Sequence, residues 1–184
     1  MRAIHVMGDS QMCRFIEYVR RRSAKFQIIS SLAVSGITIS GLKKRLKETR
    51  QNFKQELPLI LFVGCNDIVK RAPLEQIKTD YLSLVKLVRR LYGDIPLVII
   101  QIPLMPRLMQ GIQIINKVNE FLATLQNQIT MVLRWNFSQS EIPAHFQKFY
   151  RGSRRRDLVH LNDKGFDRMR VNLENILDQS QVRK

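Results

Sequence analysis

The chain has 184 residues, of which 31 are Lys or Arg and 15 are Asp or Glu, giving a formal net charge of +16. With 45% hydrophobic and 25% charged residues it has the make-up of a folded domain and not of a disordered basic tail. Eight Gly and six Pro exclude a collagen-like or low-complexity chain, and no apolar run nears the roughly 18 to 20 residues that cross a bilayer.

The predicted elements alternate along the chain. Arg2 to Met7 is strand-like and ends at Gly8; Met12, Phe15, Ile16 and Val19 then recur at helical spacing, which predicts a helix from about Gln11 to Arg22. Phe26 to Ile29 predicts a short strand, Leu42 to Phe53 a basic amphipathic helix with Leu42, Leu46 and Phe53 toward the core, and Leu57 to Val63 a buried strand closed by Gly64. Leu74 to Leu91 carries Ile77, Tyr81, Leu84, Val85 and Val88 on one helical stripe. Leu97 to Ile102 is a further buried strand ended by Pro103 and Pro106, followed by a helix over Ile112 to Leu125, a fifth strand over Thr130 to Trp135 and a closing helix over Lys164 to Leu177. Apolar strands separated by helices call for a parallel sheet shielded on both faces. The expected fold class is therefore α/β, a three-layer α/β/α sandwich around a five-stranded parallel sheet of flavodoxin-like winding. One domain over residues 1–184, cut from a longer protein, is the expected organisation. The stretch from Phe137 to Arg156 lacks period and is expected to be a surface loop bordering the site. Cys13 and Cys65 cannot build a disulfide framework and lie in no zinc-binding pattern, which points to a reducing, cytoplasmic setting and to no metal or cofactor.

In doubly wound sheets ligands bind beyond the carboxyl ends of the strands, so the post-strand loops are the places to search. Four of them stand out: Gly8-Asp9-Ser10, Ser35-Gly36, Gly64-Cys65-Asn66-Asp67, and the Asp157-Leu158-Val159-His160 run before the last helix. Together, in this order, they resemble the SGNH (GDSL-type) hydrolase family. That resemblance implies that Ser10 is a nucleophile, His160 its general base, Asp157 the group that orients His160, and that the Ser10 and Gly36 amides and the Asn66 side chain form an oxyanion hole. Such donors contribute about 3 to 4 kcal/mol each when aimed at developing charge. The sequence departs from the pattern at Cys65, at Ile37 after Gly36, and at Gln11-Met12 after Ser10. A purely structural role for Asn66 and Asp67, bonding loop backbone, is the competing reading of that pair.

The positive charge is clustered. Arg14, Arg20, Arg21, Arg22 and Lys25 lie on or just after the first predicted helix, five more basic residues crowd Lys43 to Arg50, and Arg151, Arg154, Arg155 and Arg156 run directly into the Asp-x-x-His block. Such a surface suits a polyanion held through phosphate contacts, or an anionic membrane surface, and Phe149, Tyr150 and Trp135 are candidates for stacking on unpaired bases. The hydrolase-like frame together with Arg151-Gly152-Ser153-Arg154-Arg155-Arg156-Asp157-Leu158-Val159-His160 resembles the OSK-domain family of insect germ-plasm organisers. This implies a non-enzymatic domain that binds localised messenger RNA in cytoplasmic ribonucleoprotein granules, with Arg14, Arg20 and Arg154 among its contacts and other protein domains of the parent chain as further expected partners. The alternative is an active serine esterase or acetylhydrolase, including the type found in some retrotransposon proteins. A purely structural interaction protein ranks third.

Overall fold

A computed structural model of the chain describes residues 1–22, 24–107, 112–135, 140–149 and 154–179. Five strands, β1 (Arg2–Gly8), β2 (Phe26–Ala33), β3 (Leu59–Phe62), β4 (Leu97–Ile100) and β5 (Thr130–Leu133), form one parallel sheet in the order β2-β1-β3-β4-β5. The helices are α1 (Ser10–Arg20), α2 (Ile39–Thr49), α3 (Cys65–Val69), α4 (Leu74–Tyr92), α5 (Ile112–Thr124) and α6 (Asp163–Gln179). The expected α/β sandwich is the one observed. β3 and β4 are buried along their whole length because both faces are covered. The winding reverses after β2, so α1 and α6 share one face, joined by Phe15 and Phe166 with ring centroids 6.0 Å apart, while α2 and α4 pack together on the other, where Lys43 Nζ donates to Ser83 Oγ at 3.1 Å.

Three predicted boundaries move by more than two residues, each for a local reason. β2 runs four residues past its predicted end at Ile29, because Ser30 and Ser31 interrupt the apolar run before Leu32 and Ala33 carry this edge strand on. α2 starts at Ile39 and not at Leu42, since Thr38 Oγ1 accepts the Gly41 amide at 3.3 Å as an N-cap, and it stops at Arg50 in a left-handed conformation (φ 43°). Phe53 is buried as predicted, but from the loop after the helix. The short helix α3 was not predicted, being only five residues long with its N-cap at Gly64, φ 116°.

The first strand ends under a tight constraint. A Cβ on Gly8 would lie 2.1 Å from the Phe62 carbonyl oxygen, which accepts the Asp9 amide at 3.1 Å, and 2.8 Å from Met12 Cβ. Because the obstacle is backbone of the adjacent strand, Gly8→Ala forces β1 and β3 apart. We expect a loss of about 3 kcal/mol, read as a lower urea midpoint at unchanged slope; an unchanged midpoint would mean that the turn has room for a methyl group.

Candidate functional site

Ser10 opens α1. Its neighbour Asp9 is the N-cap, accepting the Gln11 amide at 2.9 Å, so the β1–α1 turn holds the serine at the carboxyl edge of the sheet. Ser10 Oγ lies 2.9 Å from His160 Nε2, and His160 Nδ1 lies 2.8 and 3.0 Å from the two Asp157 oxygens. With the ring proton on Nδ1, donated to Asp157, Nε2 accepts from the serine hydroxyl. The serine, histidine and aspartate of the sequence pattern are thus brought into one hydrogen-bonded line across 150 residues of chain.

The histidine is placed by three devices. Leu158 takes a left-handed conformation (φ 51°), and Asp157 Oδ1 accepts the Val159 and His160 amides, each at 3.2 Å, which turns the chain so that residues 157 and 160 face each other. The segment behind it is a ribbon: Phe146 bridges Leu161 and Phe149 bridges Arg156 in antiparallel fashion, with the Gln147 amide donating to the His160 carbonyl at 2.8 Å. Finally, Gln11, fully buried, clamps the backbone on both sides of His160. Its Nε2 donates to the Val159 carbonyl at 2.8 Å and its Oε1 accepts the Leu161 amide at 3.2 Å. The sequence marked Gln11 only as a departure from the pattern; a polar residue directly after Ser10, on the buried side of an amphipathic helix, was the available signal.

The proposed oxyanion-hole positions follow β1, β2 and β3, which are neighbours in the sheet. Gly36 is exposed in a turn with φ 75°. Asn66 Nδ2 donates one hydrogen bond, 2.9 Å, to the Ile37 carbonyl, and the Asp67 carboxylate accepts the Ile39 amide at 3.1 Å. Asn66 and Asp67 therefore do act as a clamp on the Gly36–Ile39 loop. The Asn66 carboxamide has a second N–H besides the one committed to Ile37. Cys65 is buried.

Burial pushes the Asp9 carboxyl up to about 7, against the Gln11 amide and with the help of the Asp67 charge; one Asp9 oxygen, Oδ2, has no hydrogen-bond partner. Burial likewise pushes Asp67 up to about 6, opposed by the Ile39 amide. Asp157 behaves in the opposite way. Burial alone would raise it, but the hydrogen bond and charge of His160 and the amides of residues 160 and 159 outweigh burial and hold it below the ordinary carboxylate range.

The basic residues fall beside this line. Arg14 is half-buried, its Nη2 3.6 Å from Asp157 Oδ2, so the carboxylate is shared between an imidazole and a guanidinium. Arg21 and Arg22 reach Asp163 at 3.8 and 3.4 Å, and Arg21 Nε also donates to the Glu17 carbonyl at 3.3 Å, the helix-end role open to these arginines. Arg20 and Lys25 are exposed, and the Lys25 amide donates to Glu174. Arg154, Arg155 and Arg156 are exposed immediately ahead of Asp157. Phe149, half-exposed at 50%, bridges Arg156. Arg151 and Tyr150 lie outside the described residues, as does much of the stretch expected to be a loop. Its described part holds a single 3-10 turn, Ile142–His145, and the two bridges. Among the described residues, no helix is long and apolar enough to cross a membrane, and no group of three or more His, Cys, Asp or Glu is placed to hold a metal.

The sequence model of the GDSL-like Lipase/Acylhydrolase family matches residues 7–168. The maternal effect protein oskar of Drosophila melanogaster is 39% identical over 90 residues, an alignment covering 44% of this chain and 14% of that protein. Among solved structures, a lipolytic G-D-S-L family protein from Veillonella parvula superposes with a TM-score of 0.73 at 16% identity, covering 96% of this chain and 98% of its own. The C-terminal domain of Drosophila Oskar superposes with a TM-score of 0.69 at 22% identity, covering 94% and 87%. At these identities the two superpositions establish a shared fold.

The buried carboxylates fix the sign of a pH effect. Asp9 and Asp67 bind protons more tightly in the folded chain than at the ordinary value of 3.8, so their stabilisation is complete below about 4 and is lost as pH rises to about 7. Asp157, held low, acts the other way as pH falls below that range, and His5, lowered by burial, opposes the two carboxyls as pH falls below 6.5 without matching their larger shifts. Urea titrations between pH 4 and 7 should therefore show falling stability, and Asp9→Asn, which keeps the N-cap acceptor, should flatten the descent. A level profile in the unaltered chain would mean that these carboxyls titrate normally.

Proposed function

Since the chain belongs to the GDSL-like Lipase/Acylhydrolase family and carries a net charge of +16, we propose that it is an RNA-binding domain built on that family's frame, of the kind its resemblance to the OSK domain implies. One observation carries this reading. The contacts of Arg14 with Asp157 and of Arg21 and Arg22 with Asp163 lay the basic stripe of α1 alongside residues 157–163, and Arg154 to Arg156 continue the same line. A ridge of that kind, with Arg20 and Lys25 at its far end, follows the backbone of a nucleic acid strand and gains affinity from counterion release. Phe149, exposed beside Arg156, offers a face for an unpaired base. The sharing of Asp157 with Arg14 fits a frame whose catalytic line has been put to another use. Messenger RNA is the partner, in cytoplasmic ribonucleoprotein granules.

Replacing Arg154, Arg155 and Arg156 together by Glu should weaken binding of a single-stranded RNA by at least about tenfold at moderate salt. It should also flatten the slope of log affinity against log salt by about 2, at about 0.7 per lost phosphate contact. Unchanged affinity and slope would sink the reading.

A second reading rests on the line Ser10–His160–Asp157 itself, whose distances suit acyl transfer. In it Ser10 Oγ attacks an ester carbonyl as His160 takes its proton, and His160 returns that proton to the leaving alcohol. Asp157 holds the ring and faces the imidazolium, while water then repeats the attack on the acyl-enzyme. A fluorophosphonate probe separates the two readings. Labelling of the unaltered chain that disappears in Ser10→Ala establishes an activated serine and favours an esterase; a folded chain that stays unlabelled leaves the line as inherited scaffold.

A further inference from the structure

We propose that the cleft between α5 and the carboxyl ends of β4 and β5 is a seat for one unpaired base of a bound RNA strand, a deepening that rests on the RNA-binding reading. The cleft has a volume of about 360 Å³, within the range of small-ligand sites of about 300 to 1,000 Å³. Trp135 forms one wall, and its ring is held in place, because Nε1 donates to the Gln101 carbonyl at 2.6 Å and the indole packs against Phe62 with centroids 6.3 Å apart. The inner frame is equally fixed. The Asn119 carboxamide accepts the Ile102 amide and donates to the Ile102 carbonyl, both at 2.8 Å, and Gln101 Nε2 donates to the Asn119 carbonyl at 3.0 Å.

Against this rigid frame, α5 presents Asn116, Glu120 and Ala123, spaced so that they share one helical face. Asn116 and Glu120 are exposed and offer an amide donor, an amide acceptor and a carboxylate to the edge of a base; Ala123, being small, leaves the room that a ring needs. Arg134, exposed at the rim next to Trp135, supplies a cation for the accompanying phosphate. An aromatic wall, edge donors and acceptors, and a cation at the rim are the parts by which proteins hold splayed single-stranded bases. The cleft lies beyond the carboxyl ends of the parallel strands, as Ser10 does, and since α5 packs with α4 while α1 packs with α6, a strand that meets both the arginine ridge and this seat crosses that edge from one face of the sheet to the other.

The chain has a single tryptophan, so intrinsic tryptophan fluorescence reports from this wall alone. Titrating the whole chain with a fluorescently labelled single-stranded RNA decamer, with anisotropy and tryptophan emission followed together, should give quenching that shares the midpoint of the anisotropy curve. Heparin, a polyanion without bases, should compete for the basic surface and leave the emission unchanged. Ala123→Leu, which fills the cleft without removing a hydrogen bond, should abolish the quenching and weaken RNA binding by about fivefold or more. Asn116→Ala, at an exposed position, should weaken binding without loss of fold. RNA binding without quenching, quenching by heparin equal to that by RNA, or an Ala123→Leu chain that quenches normally would overturn the base seat and leave the RNA reading standing. Absence of any RNA binding would overturn both.

Discussion

The carbonyl oxygen of Phe62 occupies the place where a side chain at position 8 would begin. Because β1 and β3 approach so closely, the Asp9 amide reaches that carbonyl, the chain turns at once, and Ser10 emerges as the first residue of a helix. The position of the serine is thus a property of backbone packing between two central strands, and every distance at the carboxyl edge is measured from it. The cost of holding Asp9 there is a buried carboxyl with one unpartnered oxygen. A proton supplied at moderate pH lowers that cost, because a neutral carboxyl tolerates burial where an ionised one does not.

A second element, the run from Asp157 to Asp163, has no regular secondary structure of its own until α6 begins, and beyond the turn that Asp157 closes on itself it owes its path to neighbours. Gln11 grips it from the helix side, the ribbon through Phe146 and Phe149 grips it from behind, and Arg14, Arg21 and Arg22 touch its two acidic ends. Chemistry and charge are not separate regions of this molecule. The helix that presents Ser10 also presents the cations, and the strip that presents the imidazole is what they lean on.

Much of this was legible in the residues. The strands β3 and β4 and the helix α4 announce themselves because burial on both faces, or on one stripe, leaves an apolar pattern with a period. Ser10, Asp157 and His160 were legible as short blocks in a known order. The ribbon behind His160 was not, since its two bridges rest on backbone groups that any side chain supplies. Nor was the Gln11 clamp, a contact between residues almost 150 positions apart. Asn66 and Asp67 were legible as polar, yet their dual prospect, oxyanion donor or loop clamp, is decided by where the Ile37 carbonyl and Ile39 amide happen to lie.

The shared carboxylate at Asp157 bears on how such a domain drifts. Its side chain is fully buried, and both His160 and Arg14 depend on it. Remove it and a half-buried guanidinium loses its counter-charge while two backbone amides lose their acceptor, a loss that falls on folding whether or not any ester is ever cleaved. Selection for a stable chain therefore keeps the aspartate, and the aspartate keeps the histidine oriented. A chain that lost hydrolysis on this frame would still be held to the look of an enzyme by the contact between Arg14 and Asp157.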